Sequence, residues 1–360
     1  SDASWSTGFN WDNDAVPVFP KALTFVGPGR LTNTNDLVGV TASSITFDSA
    51  AGAFAINGNG ITLGGNINFN ADPASPVTQT INVDMDLGGA NRIVATQPNG
   101  NITLGGVISG NNALFKNNSG TLTLSGANTF TGDVQVRAGT LKLGANSVLP
   151  TSGLILNPIS VAATVDLNGK TNTVRSLTFA NSGGTEFVLD SIGGGVLQVT
   201  NFVSLNSNAG PAIISATLDL GGGSREIRVF ETTSTLTVSG AIISSSGSAN
   251  LVKLGSGTLI LSGANTYNGD TTVDQGTLQL DLASLAATKA VYLASSNGVV
   301  LNLNFSVTNA IGVLYTNGIP LDGGIYNSSN LPGLITGSGS LQSTSLPPSA
   351  PGNLVNIMVE

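Results

Sequence analysis

Asp84 and Asp86 are spaced two apart, which in an extended chain puts both carboxylates on one face. Asp270 and Asp274 form a second acidic pair. Paired acids on one face are what polysaccharide hydrolysis needs, one to protonate the leaving oxygen and one to attack or to activate water. A lyase would add calcium and an Arg or Lys base. Against both, Asp86 recurs as Asp219 and Asp133 recurs as Asp270, each close to a glycine. A catalytic residue need not be written twice, whereas a turn residue in a repeated structure should be, so these carboxylates read as corner residues. The chain contains no His and no Cys. That removes the commonest general base, the usual zinc ligands, thiolate chemistry and every Ser-His-Asp or Cys-His arrangement. No catalytic set, no cofactor and no metal site is expected. The Gly-Gly steps are followed by no Lys and open no helix, so they are not phosphate loops. The glycine-rich nonapeptide of calcium-binding β-rolls is absent.

A second set of contact-forming residues is aromatic. Trp5, Phe9 and Trp11 fall close together amid Ser, Asn and Asp, and both tryptophans of the chain are here. They read first as an amphipathic cap over an open end, with a sugar-stacking platform or a subunit contact as the alternatives.

The elements that carry these residues show in a stretch that occurs twice. Residues 120–143 read GTLTLSGANTFTGDVQVRAGTLKL and residues 257–280 read GTLILSGANTYNGDTTVDQGTLQL, identical at 16 of 24 positions. Apolar residues fall at every second position, as in Leu122, Leu124, Val134, Val136, Leu141 and Leu143. A period of two means strands. Gly126-Ala-Asn-Thr, Thr131-Gly-Asp and Ala138-Gly-Thr separate them as corners, with Asn128 and Asn265 as corner residues stacking in a ladder. Short strands closed by repeated corners suit a coil stacking rung upon rung.

The two copies resemble the autotransporter-associated β-strand repeat (passenger-associated transport repeat) of bacterial surface and large secreted proteins, whose pattern is G-T-L-x-L-x-G-x-N-T-[YF]-x-G-x-T-x-[VI]-x-x-G-x-L. The first copy departs at Val134, where the family usually has Thr. The resemblance implies a right-handed β-helix, export, and a structural or adhesive role, with no catalytic residues to carry over.

Composition agrees with an all-β solenoid: 47 glycines in 360 residues, 9% charged residues and few aromatics. A solenoid grows by adding rungs, so this length does not force several domains. The net charge of −8 includes no basic stripe, so nucleic acid is excluded as a partner. Apolar runs are too short for a membrane span. The start at Ser1 fits cleavage of a signal peptide and an extracellular or cell-surface location.

A wider duplication links Ser44-Ile-Thr-Phe to Ser176-Leu-Thr-Phe and Asp86-Leu-Gly-Gly to Asp219-Leu-Gly-Gly. The expected organisation is a cap with first strands over residues 1–36 and a single right-handed parallel β-helix over 37–342. Tandem blocks lie at about 44–143 and 176–280, with closing rungs at 281–342. About fifteen rungs spaced ~4.8 Å would make a rod on the order of 70 Å. Residues 343–360 are a Pro-rich linker and a lone strand. There Leu354, Val355, Ile357 and Val359 have strand character but no local partner, and are the candidate self-assembly strand, with a final cap folded back on its own body or the start of a further domain as the alternatives. Two classes of function remain. One is a non-enzymatic extracellular rod, structural or adhesive, contacting a surface or matrix or assembling head-to-tail as a homo-oligomer. The other is a β-helix that binds or cleaves polysaccharide.

Overall fold

The computed structural model describes residues 3–344 apart from 73, 75, 159–160, 181–186, 191–194, 208 and 295–297. The candidate assembly strand at 354–359 lies outside the described residues. The chain winds as a β-solenoid with three faces. One face is a 14-stranded parallel sheet from Thr32–Asn35 to Ile335–Gly337, each strand pairing in register with its counterpart one coil on. The other two faces belong to a 20-stranded sheet. They join because long strands bend round the corner between them: Val40–Phe47 pairs with Ile61–Leu63 through its first half and with Ile67–Phe69 through its second. Thr171–Phe179 does the same against Val196–Leu205, with a register shift at the corner. Stacked ~4.8 Å apart, the strands of the 14-stranded face give a rod on the order of 60 Å. Among the described residues the only helical turns are Gly8–Asn10 and Asp12–Asp14.

The sequence folds this way because strict alternation gives every short strand one apolar side, and stacking in register turns those sides into continuous columns. Ile102 lies over Leu122 and Leu122 over Leu141; farther along, Val238, Leu261, Leu280 and Leu303 continue in the same manner. Leu124 and Leu261 are fully buried. At the N-terminal end the column is aromatic, with Phe25 stacked on Phe47 and Phe47 edge-on to Phe69 at centroid distances of 5.1 and 6.1 Å. The wider duplication falls on equivalent faces, since Ile45 and Phe47 point inward as Leu177 and Phe179 do.

The two ends are closed differently, the first by a further parallel pairing and the second by antiparallel ones. At the start, Ala3–Trp5 adds to the edge of Thr32–Asn35 through Trp5 N to Thr34 O and Thr34 N to Ala3 O, at 2.9 and 2.8 Å. Stacking begins at Lys21–Phe25, which pairs with Val40–Phe47 and, after a register shift at Lys21, runs residue for residue from Ala22 on Ser44 to Phe25 on Phe47. At the other end, Leu314–Thr316 turns back antiparallel on Ile319–Pro320, and Gly324–Tyr326 lies antiparallel to Ser340–Ser343.

Leu261→Asp would place an unpaired carboxylate in the apolar column, at a cost of several kcal/mol. The expected outcome is loss of the cooperative thermal transition of the coils around it. An unchanged melting curve, followed by circular dichroism at the strand band, would show that the faces are assigned the wrong way round.

Candidate functional site

Asp84, just ahead of the strand Met85–Asp86, and Asp86 within it are both exposed and line a shallow depression with Gly60, Thr62 and Ser109. Each is engaged with backbone. Asp84 Oδ1 accepts from Val107 N on the next coil at 2.7 Å. Asp86 Oδ1 accepts from Gly88 N at 2.7 Å, and its other oxygen accepts from the Ser109 hydroxyl. Asp133 and Asp270 do the same work in the two copies, accepting from Gly153 N and Ala290 N at 2.8 and 2.9 Å. Asp219 is buried, which pushes its carboxyl upward, but donors from Ser245, Gly221 and Gln198 outweigh burial and hold it below the usual carboxylate value. Among the described residues no group of three or more acidic side chains converges to hold a metal ion. No helix there is long and apolar enough to cross a membrane.

The aromatic trio divides. Trp5 is buried, edge-on to Trp11 at 5.6 Å and stacked with Phe19 at 6.4 Å. The Trp11 indole donates to Trp5 O. Phe9 is 70% exposed.

Within the two copies, the second face loses its strand, and Gly126–Thr131 and Gly263–Asn268 replace it. Side-chain amides take over the ladder there. Asn128 Oδ1 accepts from Ile108 N on the preceding coil while its Nδ2 donates to Val148 O on the following one, at 2.9 and 2.8 Å. Asn265 accepts from Ile242 N in the same way and donates to the Ser284 hydroxyl. The glycines of these corners are fixed by contact rather than by torsion. A Cβ on Gly126 would sit 1.9 Å from Gly106 O, and one on Gly263 would sit 2.1 Å from Gly240 O.

Two residues that sequence reasoning passed over complete the unit. Lys116 and Lys253, at equivalent places just ahead of the quoted stretch, are 1% and 0% exposed. Their stems continue the apolar column, Lys116 between Val94 and Val136 and Lys253 between Ile227 and Val273. Lys253 Nζ donates to Leu254 O, Gly255 O and, from the next coil, Gln275 O at 3.1, 2.6 and 3.0 Å. Lys116 Nζ meets Asn117 O, Asn118 O and Ala138 O in the same arrangement. Burial pulls Lys116 down to about 7 and Lys253 to about 8. Three carbonyls for three N–H donors is the coordination of the charged form. The available signal was alternation, which puts Lys116 on the same side as Leu114, together with recurrence in the second copy.

A concavity lies beside the first copy. It is an open cleft of about 760 Å³ whose lining includes Thr131, Asp133, Gly153, Arg175, Ser176 and Phe202. Ser147, also on its wall, holds a left-handed backbone at φ 53°.

Two segments, 114–143 and 251–280, match the passenger-associated-transport-repeat family. The chain carries two passenger-associated transport repeats. Both matches begin at the strand that holds the buried lysine and end with the strand after the Gly139 or Gly276 corner. The chain is also similar to the adhesin BmaC autotransporter of Brucella suis biovar 1 (strain 1330), with 26% identity over 408 aligned positions. That alignment covers 87% of this chain and 12% of the relative, so the chain spans about an eighth of the relative's length. No solved structure matches it with significance.

Lys253→Met would keep the stem and leave three corner carbonyls without their donor, at a cost of about 1–3 kcal/mol. Because the folded-state values lie below the ordinary 10.5, the unfolded chain binds more protons between about 7 and 10.5. Stability is therefore lowest below that window and rises as pH rises through it. Urea midpoints measured across the window should climb in the parent and climb less in a Lys116→Met, Lys253→Met double variant. Equal slopes in the two proteins would refute the assignment.

Proposed function

We propose that the chain is a stretch of a non-enzymatic, extracellular, cell-surface rod with an adhesive and structural role. The observation that supports this best is the similarity to an autotransporter adhesin across most of the chain, carried by a solenoid whose acids are engaged as corner acceptors. A stack of coils extends a surface along one axis without needing a thicker core, which suits holding contact groups away from a cell. The polysaccharide-cleaving alternative is disfavoured: the recurring carboxylates Asp86, Asp133, Asp219 and Asp270 accept backbone N–H bonds at equivalent corners, and Asp84 does the same. Beads coated with the chain should be retained on epithelial monolayers or matrix-coated plates severalfold more than albumin-coated beads. Retention no better than albumin on every surface would overturn the adhesive role.

The same rod is proposed to assemble head-to-tail. In this scheme Leu354, Val355, Ile357 and Val359 add as a strand to a second copy, reached through the extended linker around Pro347, Pro348 and Pro351. A contact of this kind does not close on itself, so it builds a filament. Light scattering should find the full chain polymerising and a variant lacking residues 346–360 monomeric. Equal polymerisation of the two would remove the segment as connector.

A further inference from the structure

We infer that the cleft beside the first repeat is a binding site for an uncharged oligosaccharide, running along the rod across four successive coils. This deepens the adhesive reading and rests on it for its biological setting. The trough has a simple origin. Gly153, Ser176 and Phe202 are neighbours in one outward column, and Asp133 occupies the coil before them. Two small residues between a carboxylate and an aromatic ring leave a depression about 14 Å long, at three steps of ~4.8 Å. Its floor and walls carry hydroxyls from Thr131, Ser152 and Ser176, with Arg175 beside Ser176.

The polar groups are available for a ligand. Arg175 is exposed, and its guanidinium makes no hydrogen bond or ion pair among the described residues, so its five donors are unspent. Asp133 spends Oδ1 on Gly153 N, and its second oxygen takes no donor among the described residues. The two form no ion pair with each other within 4.0 Å. A sugar hydroxyl donates to a carboxylate and accepts from a guanidinium, so separated opposite charges suit a polyhydroxylated ligand without net charge. A strongly acidic glycan would meet one Arg, one opposing Asp and a chain of net charge −8. The ring is prepared as well. Arg228, held by Glu226, lies over Phe202 at 4.4 Å to the centroid from the following coil. One face of the ring is thus covered, and Phe202 also lines the cleft, where it offers an apolar surface for the C–H face of a sugar.

The duplication sharpens the assignment. Asp133 has its equivalent in Asp270, as a corner residue should. Arg175, whose N–H bonds Ser152 O, corresponds to Gly312, whose N–H bonds Lys289 O. The guanidinium therefore belongs to the first repeat alone, added to a scaffold that the chain uses twice.

The test is a glycan array carrying neutral and acidic oligosaccharides, followed by calorimetric titration of the strongest neutral hit. The variants are Arg175→Ala, Phe202→Ala and Ser176→Phe, the last filling the trough from an outward position. Neutral oligosaccharides should bind the parent, and each variant should weaken binding about tenfold or more with its melting temperature unchanged. Should Phe202→Ala melt lower, the other two carry the test. Failure to bind any neutral oligosaccharide, binding indifferent to Arg175→Ala and Ser176→Phe, or capture of acidic oligosaccharides only would each overturn the site. Beads coated with a triple variant separate the two levels: adhesion equal to the parent leaves the adhesive role standing and removes the cleft from it.

Discussion

Everything in this chain follows from the requirement that neighbouring coils approach to the spacing of a parallel β-ladder. At that distance the backbone of one coil passes against the corner of the next, and a corner can hold only what fits. Gly126 and Gly263 are glycine because a Cβ would overlap the carbonyl of the preceding coil. The same closeness strands polar groups at the bends, where ladder bonds are interrupted, and the chain answers with side chains that imitate backbone. Asn128 receives from one coil and gives to another, as a peptide group would. Asp133 and Asp270 accept the N–H that opens the following strand. Acids that look paired in the sequence, such as Asp84 and Asp86, are thus engaged in holding coils together, each of the two accepting a backbone N–H.

The buried lysines are the most demanding instance. A charge inside an aliphatic column is unfavourable unless it is fully coordinated, and each ammonium meets that condition with carbonyls from its own bend and from the next coil. They sit where the repeat begins, so each unit is fastened to its successor at the moment the second face gives up its strand.

Much of the fold was legible because its determinants are local. Alternation set the strands, duplicated Gly and Asn corners set the bends, and Leu124 and Leu261 took the inward side that alternation assigns. The rod came out somewhat shorter than about fifteen rungs, since several coils are long, as in the 26 residues that separate Thr178 from Ser204. Lys116 and Lys253 were passed over because lysine is almost never fully buried, and composition spoke louder than position. The cleft was hidden for a different reason. Asp133, Gly153, Ser176 and Phe202 become neighbours only once the length of each coil is known, and those lengths run from 20 residues between Asp133 and Gly153 to 26 between Thr178 and Ser204. No local pattern in the sequence reports that register.

The direction of the hydrogen bonds has a mechanical consequence. They run along the rod, while the strands run around it, so tension applied end to end loads the bonds between two coils rather than the covalent chain. Such a rod should peel, shedding one coil after another under modest force instead of failing at once. Where Lys116 and Lys253 clasp adjacent coils from within, peeling meets a ratchet tooth, and a tether built this way would lengthen in steps under shear before it let go.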